Sequence, residues 1–369
     1  MAGKARYIMI GGFLGAGKTT AILKLAEHLS ENGLKVGLIT NDQSIGLVDT
    51  TILESHGFAV EEITGGCFCC RFNSLIDASN RLSEETRPDV FIAEPVGSCT
   101  DLKASVSYPL RRMYGDNFSI APLSVLVDPI RAMRILGLEQ GKAFSSKVIY
   151  VYTKQLEEAE QIVINKVDLV SPQQREMLFD ALSKKFPRAA IFEISARLGT
   201  GLQPWFARVM KDDLGGDPTM DVDYDLYAEG EALLGWLNCT VQLISSEPVD
   251  GNLLIQKIAA GVAGQLESLG IQIAHLKMTL SPAGGDSDLA VLNVVRNDGA
   301  GELSHRLAGP IESGELIINL RAEANPELLR TSTLAALESL RKSNIVLAVE
   351  HLENFRPGKP QPTHRLTIA

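Results

Sequence analysis

Blocks of apolar residues alternate with blocks of helical periodicity along the first 210 residues. Short, wholly apolar runs predict buried strands, and apolar residues spaced three and four apart predict helices. The predicted strands are 7–10, 36–40, 90–93, 123–127, 162–164 and 191–194, and the predicted helices are 18–30 and 72–82. Buried strands that alternate with helices are typical of an α/β fold, in which helices cover both faces of a mostly parallel sheet.

From residue 237 onward the pattern changes to longer, alternating strands. The predicted strands are 239–244, 271–280, 289–295, 315–320 and 345–351, and the predicted helices are 253–269 and 326–343. This order predicts a smaller α+β domain with two helices on one face of an antiparallel sheet. The expected organisation is a first domain at 1–212, an acidic linker at 213–230, the α+β domain at 231–356 and an extended tail at 357–369.

Composition and charge narrow the class of protein. The 369 residues are 45% hydrophobic and 22% charged, which indicates a globular chain, and the net charge of −10 argues against nucleic acid as a partner. No apolar run approaches the roughly 20 residues of a membrane-spanning helix, so we expect no membrane association. Five cysteines, an odd number with three of them in four positions, favour thiol or metal chemistry in a reducing, cytoplasmic compartment.

A phosphate-binding loop follows the first predicted strand. Residues 12–19 match G-x-x-x-x-G-K-[ST] between a strand and a helix, the context of a P-loop NTPase. Glycines let the backbone wrap around phosphate oxygens, Lys18 would neutralise the β- and γ-phosphates, and the Thr19 hydroxyl would ligate Mg²⁺. The alternative is a generic glycine-rich turn.

A guanine-reading loop is predicted at the end of the strand at 162–164. Asn165 and Lys166 precede Asp168, whose carboxylate can accept hydrogen bonds from the ring N–H and 2-amino group of guanine; adenine offers neither donor. A second base-contacting turn is predicted at 195–197. The alternative is an ordinary strand-end turn with a capping aspartate. The candidate nucleotide-binding residues are Gly12, Gly15, Ala16, Gly17, Lys18, Thr19, Thr20, Gly97, Asn165, Lys166, Asp168, Ser195, Ala196 and Arg197.

Two carboxylates at strand ends are candidates for Mg²⁺ and for hydrolysis. Glu94 ends an apolar strand and opens a turn in which the Gly97 amide could face the γ-phosphate. Asp42 follows the strand at 36–40 and could hold the metal or orient water. The candidate catalytic residues are thus Lys18, Asp42 and Glu94, with Thr19, Asp42 and Glu94 as Mg²⁺ ligands. Either acid could instead cap a turn, and Asp128 is expected to be structural.

Cys67, Cys69 and Cys70 form a dense cysteine cluster after two glycines. Thiolates prefer Zn²⁺, Co²⁺ and similar transition metals over Mg²⁺, and three ligands leave an open coordination position that suits transfer or sensing. The helix predicted after Cys70 is expected to lower the pKa values of all three thiols. The alternatives are a redox-active thiol group and buried packing residues. Because the cluster lies between Asp42 and Glu94, metal binding and nucleotide state could be coupled.

Together these motifs resemble the metallochaperone and cofactor-loading GTPases of the CobW/UreG/HypB group. The matching segments are GGFLGAGKTT at 11–20, GGCFCC at 65–70, INKVDL at 164–169 and SAR at 195–197, and the resemblance covers about residues 5–210. ITND at 39–42 is closer to the UreG branch, EPVG at 94–97 departs from the family's usual turn, and the six histidines are scattered.

The resemblance implies slow GTP hydrolysis, with GTP and Mg²⁺ as ligands and Zn²⁺ or Co²⁺ at the cysteines. It also implies delivery of the metal, or of a cofactor such as cobalamin, to a client metalloenzyme or cofactor-dependent enzyme, and a possible nucleotide-dependent homodimer. The second domain would recognise the client. Two alternatives stay open: a metal- or redox-sensing GTP-binding protein with negligible turnover, and a P-loop small-molecule kinase, which has no need of a guanine loop. Cys99 is either a further metal ligand or a packed thiol, and Cys239 is expected in a core.

Overall fold

The computed structural model describes residues 4–41, 48–216, 218–284, 288–299, 301–341 and 345–366. Of these, residues 4–41, 52–216, 218–228 and 359–366 form one compact unit. Residues 48–51 and the described part of 229–358 form a second unit. The first unit thus includes described residues from the stretches predicted as linker and tail.

The first unit is built on an eight-stranded sheet. Its strands are β1 (Ala5–Gly12), β2 (Val36–Asn41), β3 (Ala59–Ile63), β4 (Val90–Glu94), β5 (Phe118–Ile120), β6 (Ser124–Val127), β7 (Gln161–Ile164) and β8 (Ala190–Glu193). The helices that begin in the first 211 residues are α1 (Lys18–Glu31), α2 (Val48–Ser55), α3 (Phe72–Glu85), α4 (Tyr108–Tyr114), α5 (Pro129–Ile135), α6 (Ser146–Glu158), α7 (Pro172–Lys185) and α8 (Leu202–Lys211). A π-helical turn at Lys103–Ser107 precedes α4.

The sheet is parallel throughout, in the order β3-β2-β4-β1-β6-β7-β8, with β5 also paired to β1. Strands β2, β4, β6 and β7 are buried along their whole length, as expected when helices cover both faces. The predicted α/β fold class is confirmed. Because the strands run in one direction, the carboxyl ends of β1, β2, β4 and β7 lie at one edge of the sheet, where ligands bind in folds of this kind.

The second unit contains a six-stranded antiparallel sheet in the order β12-β11-β10-β13-β9-β14. Its strands are β9 (Leu234–Val249), β10 (Ile273–Pro282), β11 (Ala290–Val294), β12 (Glu302–His305), β13 (Ile311–Glu323) and β14 (Ile345–Phe355), and its helices are α10 (Gly251–Ser268) and α11 (Pro326–Ser339). Helix α9 (Tyr224–Leu233) comes before β9. The predicted α+β class is confirmed, with β12 as an additional short strand that the sequence pattern did not predict.

Helix ends in both units have local chemical causes. The Asn325 side chain accepts a hydrogen bond from the Glu327 N–H and caps α11. Ser171 and Gln174 form a reciprocal capping box at the start of α7. Among the described residues, no helix has both the length and the apolar character needed to cross a membrane.

Candidate functional site

The phosphate loop joins β1 to α1 with three glycines at positive φ: Gly12 (131°), Gly15 (78°) and Gly17 (86°). A Cβ atom at Gly12 would lie 2.4 Å from the Leu126 carbonyl oxygen, and one at Gly17 would lie 2.5 Å from the Asn165 side-chain nitrogen. Only glycine fits these positions. Helix α1 starts at Lys18, so the loop ends at a helix N-terminus, which favours an anion.

Glu94 lies beside the phosphate loop because β4 pairs with β1, with Met9 opposite Ala93. The Glu94 Oε1 atom is 3.3 Å from the Thr19 hydroxyl, which donates a hydrogen bond to it, and 3.7 Å from Lys18 Nζ. All three side chains are buried. A hydroxyl and a carboxylate side by side are the oxygen donors that Mg²⁺ takes. Asp42, predicted as a third member of this group, lies outside the described residues.

The loop after β7 contacts the phosphate loop directly. The Asn165 side-chain amide donates to the Ala16 carbonyl (2.9 Å), and Lys166 Nζ donates to the Gly15 carbonyl (2.7 Å). Lys166 Nζ also lies 3.1 Å from an oxygen of Asp128. The Asn165 oxygen accepts from the backbone N–H of Ala196 (3.0 Å), which fixes the turn at 195–197 that was predicted to contact the base. The predicted guanine loop and phosphate loop therefore form one hydrogen-bonded group.

Asp128 caps helix α5 by accepting from the Arg131 N–H at 3.0 Å, so the expected structural role is present. It has a second role in orienting Lys166. Burial opposes its ionisation, but the positive charges of Lys166 and Arg131 lower the pKa of Asp128 below its usual value. The carboxylate is therefore ionised at neutral pH and holds the Lys166 side chain along the loop.

Asp168 is held by the second turn. Its two carboxylate oxygens accept from the Ser195 hydroxyl and from the Arg197 guanidinium, each at 2.5 Å. Burial opposes ionisation, but the hydrogen bond from Ser195 and the charge of Arg197 keep the pKa of Asp168 below its usual value. An ionised carboxylate in a fixed orientation can accept the two donors of a guanine edge.

The cysteine turn brings three sulfur atoms together. The Cys67 sulfur lies 2.8 Å from that of Cys69 and 3.3 Å from that of Cys70, and the Cys69 and Cys70 sulfurs are 3.7 Å apart. Gly65 and Gly66 have φ values of 75° and 148°, and the Cys67 carbonyl accepts from the N–H of Cys70, which closes the turn just before α3. Within the chain segments that the structure describes, this is the one group of cysteine, histidine and acidic side chains arranged to hold a metal ion.

The three thiols do not share one pKa direction, so the expectation that the helix lowers all three was wrong. Hydrogen bonds from Cys69, Cys70 and Cys99 hold the pKa of Cys67 well below its usual value. The hydrogen bond to Cys67 raises the pKa of Cys69 and, to about 11, that of Cys70. Adjacent sulfurs cannot all be charged in the absence of a cation, so one thiolate is stabilised by its protonated neighbours.

Asn41, the last residue of β2, holds the cysteine turn in place. Its buried side-chain amide donates to the carbonyls of Ile63 (3.0 Å) and Gly66 (2.8 Å), and its oxygen accepts from the N–H of Phe68 (2.9 Å). The residue after Asn41 is the candidate Asp42. The sheet edge that carries the nucleotide candidates therefore also fixes the metal candidates.

The turn that follows β4 contacts both sites. A Cβ atom at Gly97 would lie 3.1 Å from the backbone nitrogen of Leu14 in the phosphate loop. Two residues later, the Cys99 side chain is buried, and it contributes to the lowered pKa of Cys67. The Gln155 side-chain amide, from α6, donates to the carbonyls of Gly97 (2.9 Å) and Cys99 (2.8 Å). One buried amide thus fixes the position of both residues.

Residues 361–366 run along the cysteine turn. The Gln361 N–H donates to the Cys70 sulfur (3.2 Å), and Thr363 bonds to the carbonyls of Cys69 (2.8 Å) and Cys70 (3.1 Å). The His364 ring packs edge-on against Phe72 at 5.0 Å between ring centroids. We call residues 361–366 the C-terminal segment.

Asp101 anchors the C-terminal segment. This buried residue has a positive φ of 64°, and its carboxylate accepts from the Arg365 guanidinium (2.7 Å) and from the Tyr224 hydroxyl (2.6 Å). The short stretch 94–101 therefore contains four residues of interest. In order, they are the Mg²⁺ candidate Glu94, the γ-phosphate candidate Gly97, the buried thiol Cys99 and Asp101, which anchors the C-terminal segment.

Sequence reasoning missed four residues that organise the site: Asn41, Gln155, Asp101 and Arg365. Asn41 directly precedes the candidate Asp42, and a polar residue at the end of an apolar strand could have indicated a role at the site. Gln155 lies in a helix with no motif, and the Asp101–Arg365 pair spans 264 positions, so no local pattern indicates either.

The family model described as CobW/HypB/UreG, nucleotide-binding domain, matches residues 6–193. The chain is 30% identical to the zinc chaperone YeiR of Escherichia coli over 174 residues, which are 47% of this chain and 50% of YeiR. It is 28% identical to the zinc chaperone CobW of a Sinorhizobium species over 205 residues, which are 50% of this chain and 57% of that protein.

This chain therefore spans about half the length of these curated relatives. A crystal structure of Zn(II)-bound YjiA GTPase from E. coli aligns with 92% of this chain and 100% of its own, at 16% identity and a TM-score of 0.36. Because the family model covers more than half of the 369 residues, the chain belongs to the CobW/HypB/UreG family.

Proposed function

We propose that this protein is a GTP-hydrolysing metal chaperone that delivers a transition metal, or a metal cofactor, to a client enzyme. The observation that carries this proposal is the convergence of three thiols, at sulfur separations of 2.8–3.7 Å, at the sheet edge that also holds a phosphate loop. Thiolates are ligands that soft and borderline transition metals prefer, and nucleotide hydrolysis at the neighbouring site could supply the free energy for releasing such a metal.

The nucleotide half of the proposal assigns GTP to the loops at 12–19 and 165–168. Lys18 neutralises phosphate charge, and the neighbouring hydroxyl of Thr19 and carboxylate of Glu94 hold Mg²⁺, which supplies charge neutralisation at the phosphates. Asp42 and Glu94 are the proposed residues for orienting water, with the Gly97 amide facing the γ-phosphate. Hydrolysis is slow because these groups orient the water without a strong base.

The metal half assigns Zn²⁺ or Co²⁺, as cargo, to Cys67, Cys69 and Cys70. A tetrahedral ion with metal–sulfur bonds of about 2.3 Å separates its sulfurs by about 3.8 Å. The observed separations of 2.8, 3.3 and 3.7 Å require only small outward movements to reach that geometry. Three thiolates leave one position open to a client's ligand.

Two connections support coupling between the halves. Asn41 hydrogen-bonds to Gly66 and Phe68 in the cysteine turn and directly precedes Asp42. Residues 94–101 join the Glu94 carboxylate to the Cys99 thiol. A movement of either segment on GTP hydrolysis therefore changes the surroundings of the metal.

The client in this proposal is a metalloenzyme or cofactor-dependent enzyme, recognised by the second unit. A nucleotide-dependent homodimer and a cytoplasmic location belong to the same proposal. Five cysteines, each of them a free thiol, fit a reducing compartment.

The central experiment measures Zn²⁺ affinity, by competition with a chromophoric chelator, for the protein bound to GDP and to a non-hydrolysable GTP analogue. We expect affinities that differ at least several-fold between the two states. Cys67→Ala should abolish tight binding, whereas Cys239→Ala, which removes a buried thiol of the second unit, should not. Equal Zn²⁺ affinities in both nucleotide states would contradict the coupling.

A second experiment tests the choice of base. The Asp168→Asn variant presents an amide donor to position 2 of the base, so it should lose GTP affinity and gain affinity for xanthosine triphosphate, which has an oxygen there. Fluorescent nucleotide titration measures both affinities. Unchanged preference for GTP in Asp168→Asn would contradict guanine reading by Asp168. In a separate assay, transfer of phosphate from the nucleotide to a small molecule would favour the kinase alternative.

A further inference from the structure

Three consecutive carbonyl groups of the phosphate loop are held by side chains from other segments. The loop after β7 donates hydrogen bonds to the carbonyls of Gly15 (2.7 Å) and Ala16 (2.9 Å). The carbonyl just before them, that of Leu14, accepts a hydrogen bond from the guanidinium of Arg131. The predicted guanine loop therefore holds two of these carbonyls, and the third depends on a residue that no nucleotide motif contains.

The pairing of strands brings Arg131 to the phosphate loop. Strand β6 pairs with β1, with Leu126 opposite Gly12, and helix α5 begins just after β6 with Arg131 in its first turn. The Arg131 side chain is buried, and its guanidinium carbon lies 5.3 Å from the ring centroids of both Phe13 and Phe144. Two aromatic rings and one carbonyl thus fix the orientation of this cation, and Phe13 is itself part of the loop.

A carbonyl that is held in place also fixes the N–H on the other side of the same peptide bond. The peptide unit is planar and trans, so the Gly15 N–H points away from the Leu14 oxygen that Arg131 binds. Phosphate loops bind phosphate oxygens with their backbone N–H groups. Arg131 therefore sets the direction of an N–H that is available to a phosphate oxygen.

Leu14 also contacts the turn that follows β4. A Cβ atom at Gly97 would lie 2.8 Å from Leu14 Cδ2 and 3.1 Å from the Leu14 nitrogen. Gly97 is the residue proposed to face the γ-phosphate, so the peptide that Arg131 holds lies at that end of the nucleotide. We propose that Arg131 is a positioning residue that holds the Leu14–Gly15 peptide for the γ-phosphate and thereby favours GTP over GDP. This proposal rests on the GTP-binding function proposed above and deepens it.

The test compares the affinity of the full-length protein for a fluorescent non-hydrolysable GTP analogue with its affinity for fluorescent GDP, both with Mg²⁺. Arg131→Met keeps an unbranched side chain between the two rings but removes the charge and the hydrogen-bond donor. Arg134→Met is the matched control, because Arg134 lies in the same helix and pairs with Glu139 at 3.3 Å. Thermal unfolding shows whether each variant is folded.

Arg131→Met should bind the GTP analogue at least tenfold more weakly than wild type, because a hydrogen bond from a charged donor is lost, and should bind GDP less than threefold more weakly. Arg134→Met should match wild type for both nucleotides. If Arg131→Met does not fold, Arg131→Lys decides the question. Its flexible single ammonium replaces the planar guanidinium, so it should still lower the affinity for the GTP analogue at least threefold more than that for GDP.

Two results would overturn the role of Arg131. Equal losses of affinity for the two nucleotides would mean that Arg131 only supports the fold of the loop, and unchanged affinities would mean that it does not act on the nucleotide at all. The proposed GTPase function survives both results so long as wild type binds and hydrolyses GTP. Wild type that binds neither guanine nucleotide would contradict that function itself.

Discussion

The backbone N–H of Gln361 donates a hydrogen bond to the Cys70 sulfur across 3.2 Å, although 291 positions separate the two residues. Cys70 is the most exposed of the three thiols in the turn, because Cys67 and Cys69 are buried. The C-terminal segment therefore lies beside the most exposed of the three sulfurs proposed to bind a metal ion. We therefore expect its attachment to limit how readily a metal ion or thiol reagent reaches Cys70.

Detaching the C-terminal segment should expose Cys70. In Arg365→Ala, the buried Asp101 carboxylate loses its charged partner, so we expect a loss of about 1–3 kcal/mol of stability. We also expect alkylation of Cys70 by iodoacetamide to accelerate several-fold. Mass spectrometry of timed samples gives the rate for each cysteine.

The control is Arg175→Ala, which breaks an exposed ion pair with Glu193. It should leave the alkylation rate of Cys70 unchanged. Equal Cys70 rates in wild type and Arg365→Ala would show that the C-terminal segment does not protect this thiol.

Gly17→Ala should abolish nucleotide binding while the fold survives. The new Cβ would lie 2.5 Å from the Asn165 side chain, so it separates the phosphate loop from the base loop. Gly33→Ala is a matched control, because Gly33 has nearly the same φ (80° against 86°) and nothing lies within 4 Å of its Cβ position.

Both Gly variants carry backbone strain of about 1 kcal/mol, and only Gly17→Ala should lose GTP affinity, by roughly a hundredfold or more. Calorimetric titration measures both affinities. A similar loss in the two variants would mean that strain, rather than contact with Asn165, controls binding.

Asn41→Ala should loosen the cysteine turn. The substitution leaves two carbonyls and one N–H without their side-chain partner, so we expect a loss of about 1–3 kcal/mol of stability. It should also weaken Zn²⁺ binding roughly tenfold, because Asn41 orients the turn that carries the proposed metal ligands. Asn319→Ala removes a comparably buried amide, bonded to Asn238 at 3.0 Å in the second unit. This control should lose stability and keep its Zn²⁺ affinity; equal Zn²⁺ affinity in Asn41→Ala would rule out the orienting role.

Glu158 should make the protein less stable as pH rises. Burial raises the pKa of Glu158 to about 8 from its ordinary 4.5. Between these values the folded protein retains a proton that the unfolded chain releases, so the stabilisation is complete below about pH 4.5 and declines progressively as the pH rises towards 8. The glutamine side chain of Glu158→Gln stays neutral at every pH. Over this pH range, the free energy of unfolding of the variant should therefore fall less than that of wild type, and the difference should be on the order of 3 kcal/mol.

Urea denaturation at several pH values between 5 and 8 measures this difference. Glu157→Gln changes the neighbouring glutamate, which lies at the surface in an ion pair with Lys154, and should keep the wild-type pH slope. Identical slopes in wild type and Glu158→Gln would show that Glu158 is ionised in the folded state.

Local patterns predicted much of the fold and of the candidate site. The phosphate loop, the guanine loop and the cysteine turn are contiguous segments whose geometry follows from glycine placement and strand ends, as at Gly12 and Gly17. The half-buried edge strand β3 and the short strand β12 have no long apolar run, so periodicity did not predict them.

Contacts between distant segments could not be read from the sequence. Cys99 affects the pKa of Cys67 because parallel pairing places β2 and β4 side by side, with Thr40 opposite Glu94. The expected lowering of all three thiol pKa values failed for a related reason: the hydrogen bond to Cys67 raises the pKa values of Cys69 and Cys70, and burial adds to the increase.

The place of the C-terminal segment bears on how the protein is made. Its residues pack with the first unit, yet the ribosome synthesises the whole of 229–358 before them. More than a hundred residues are therefore synthesised before residues 361–366 can pack against the cysteine turn. At about 5–20 residues per second, this delay lasts many seconds. Cys70 should therefore be more exposed in the nascent chain than in the folded protein, so a metal ion that binds during synthesis would meet a different site from one that binds afterwards.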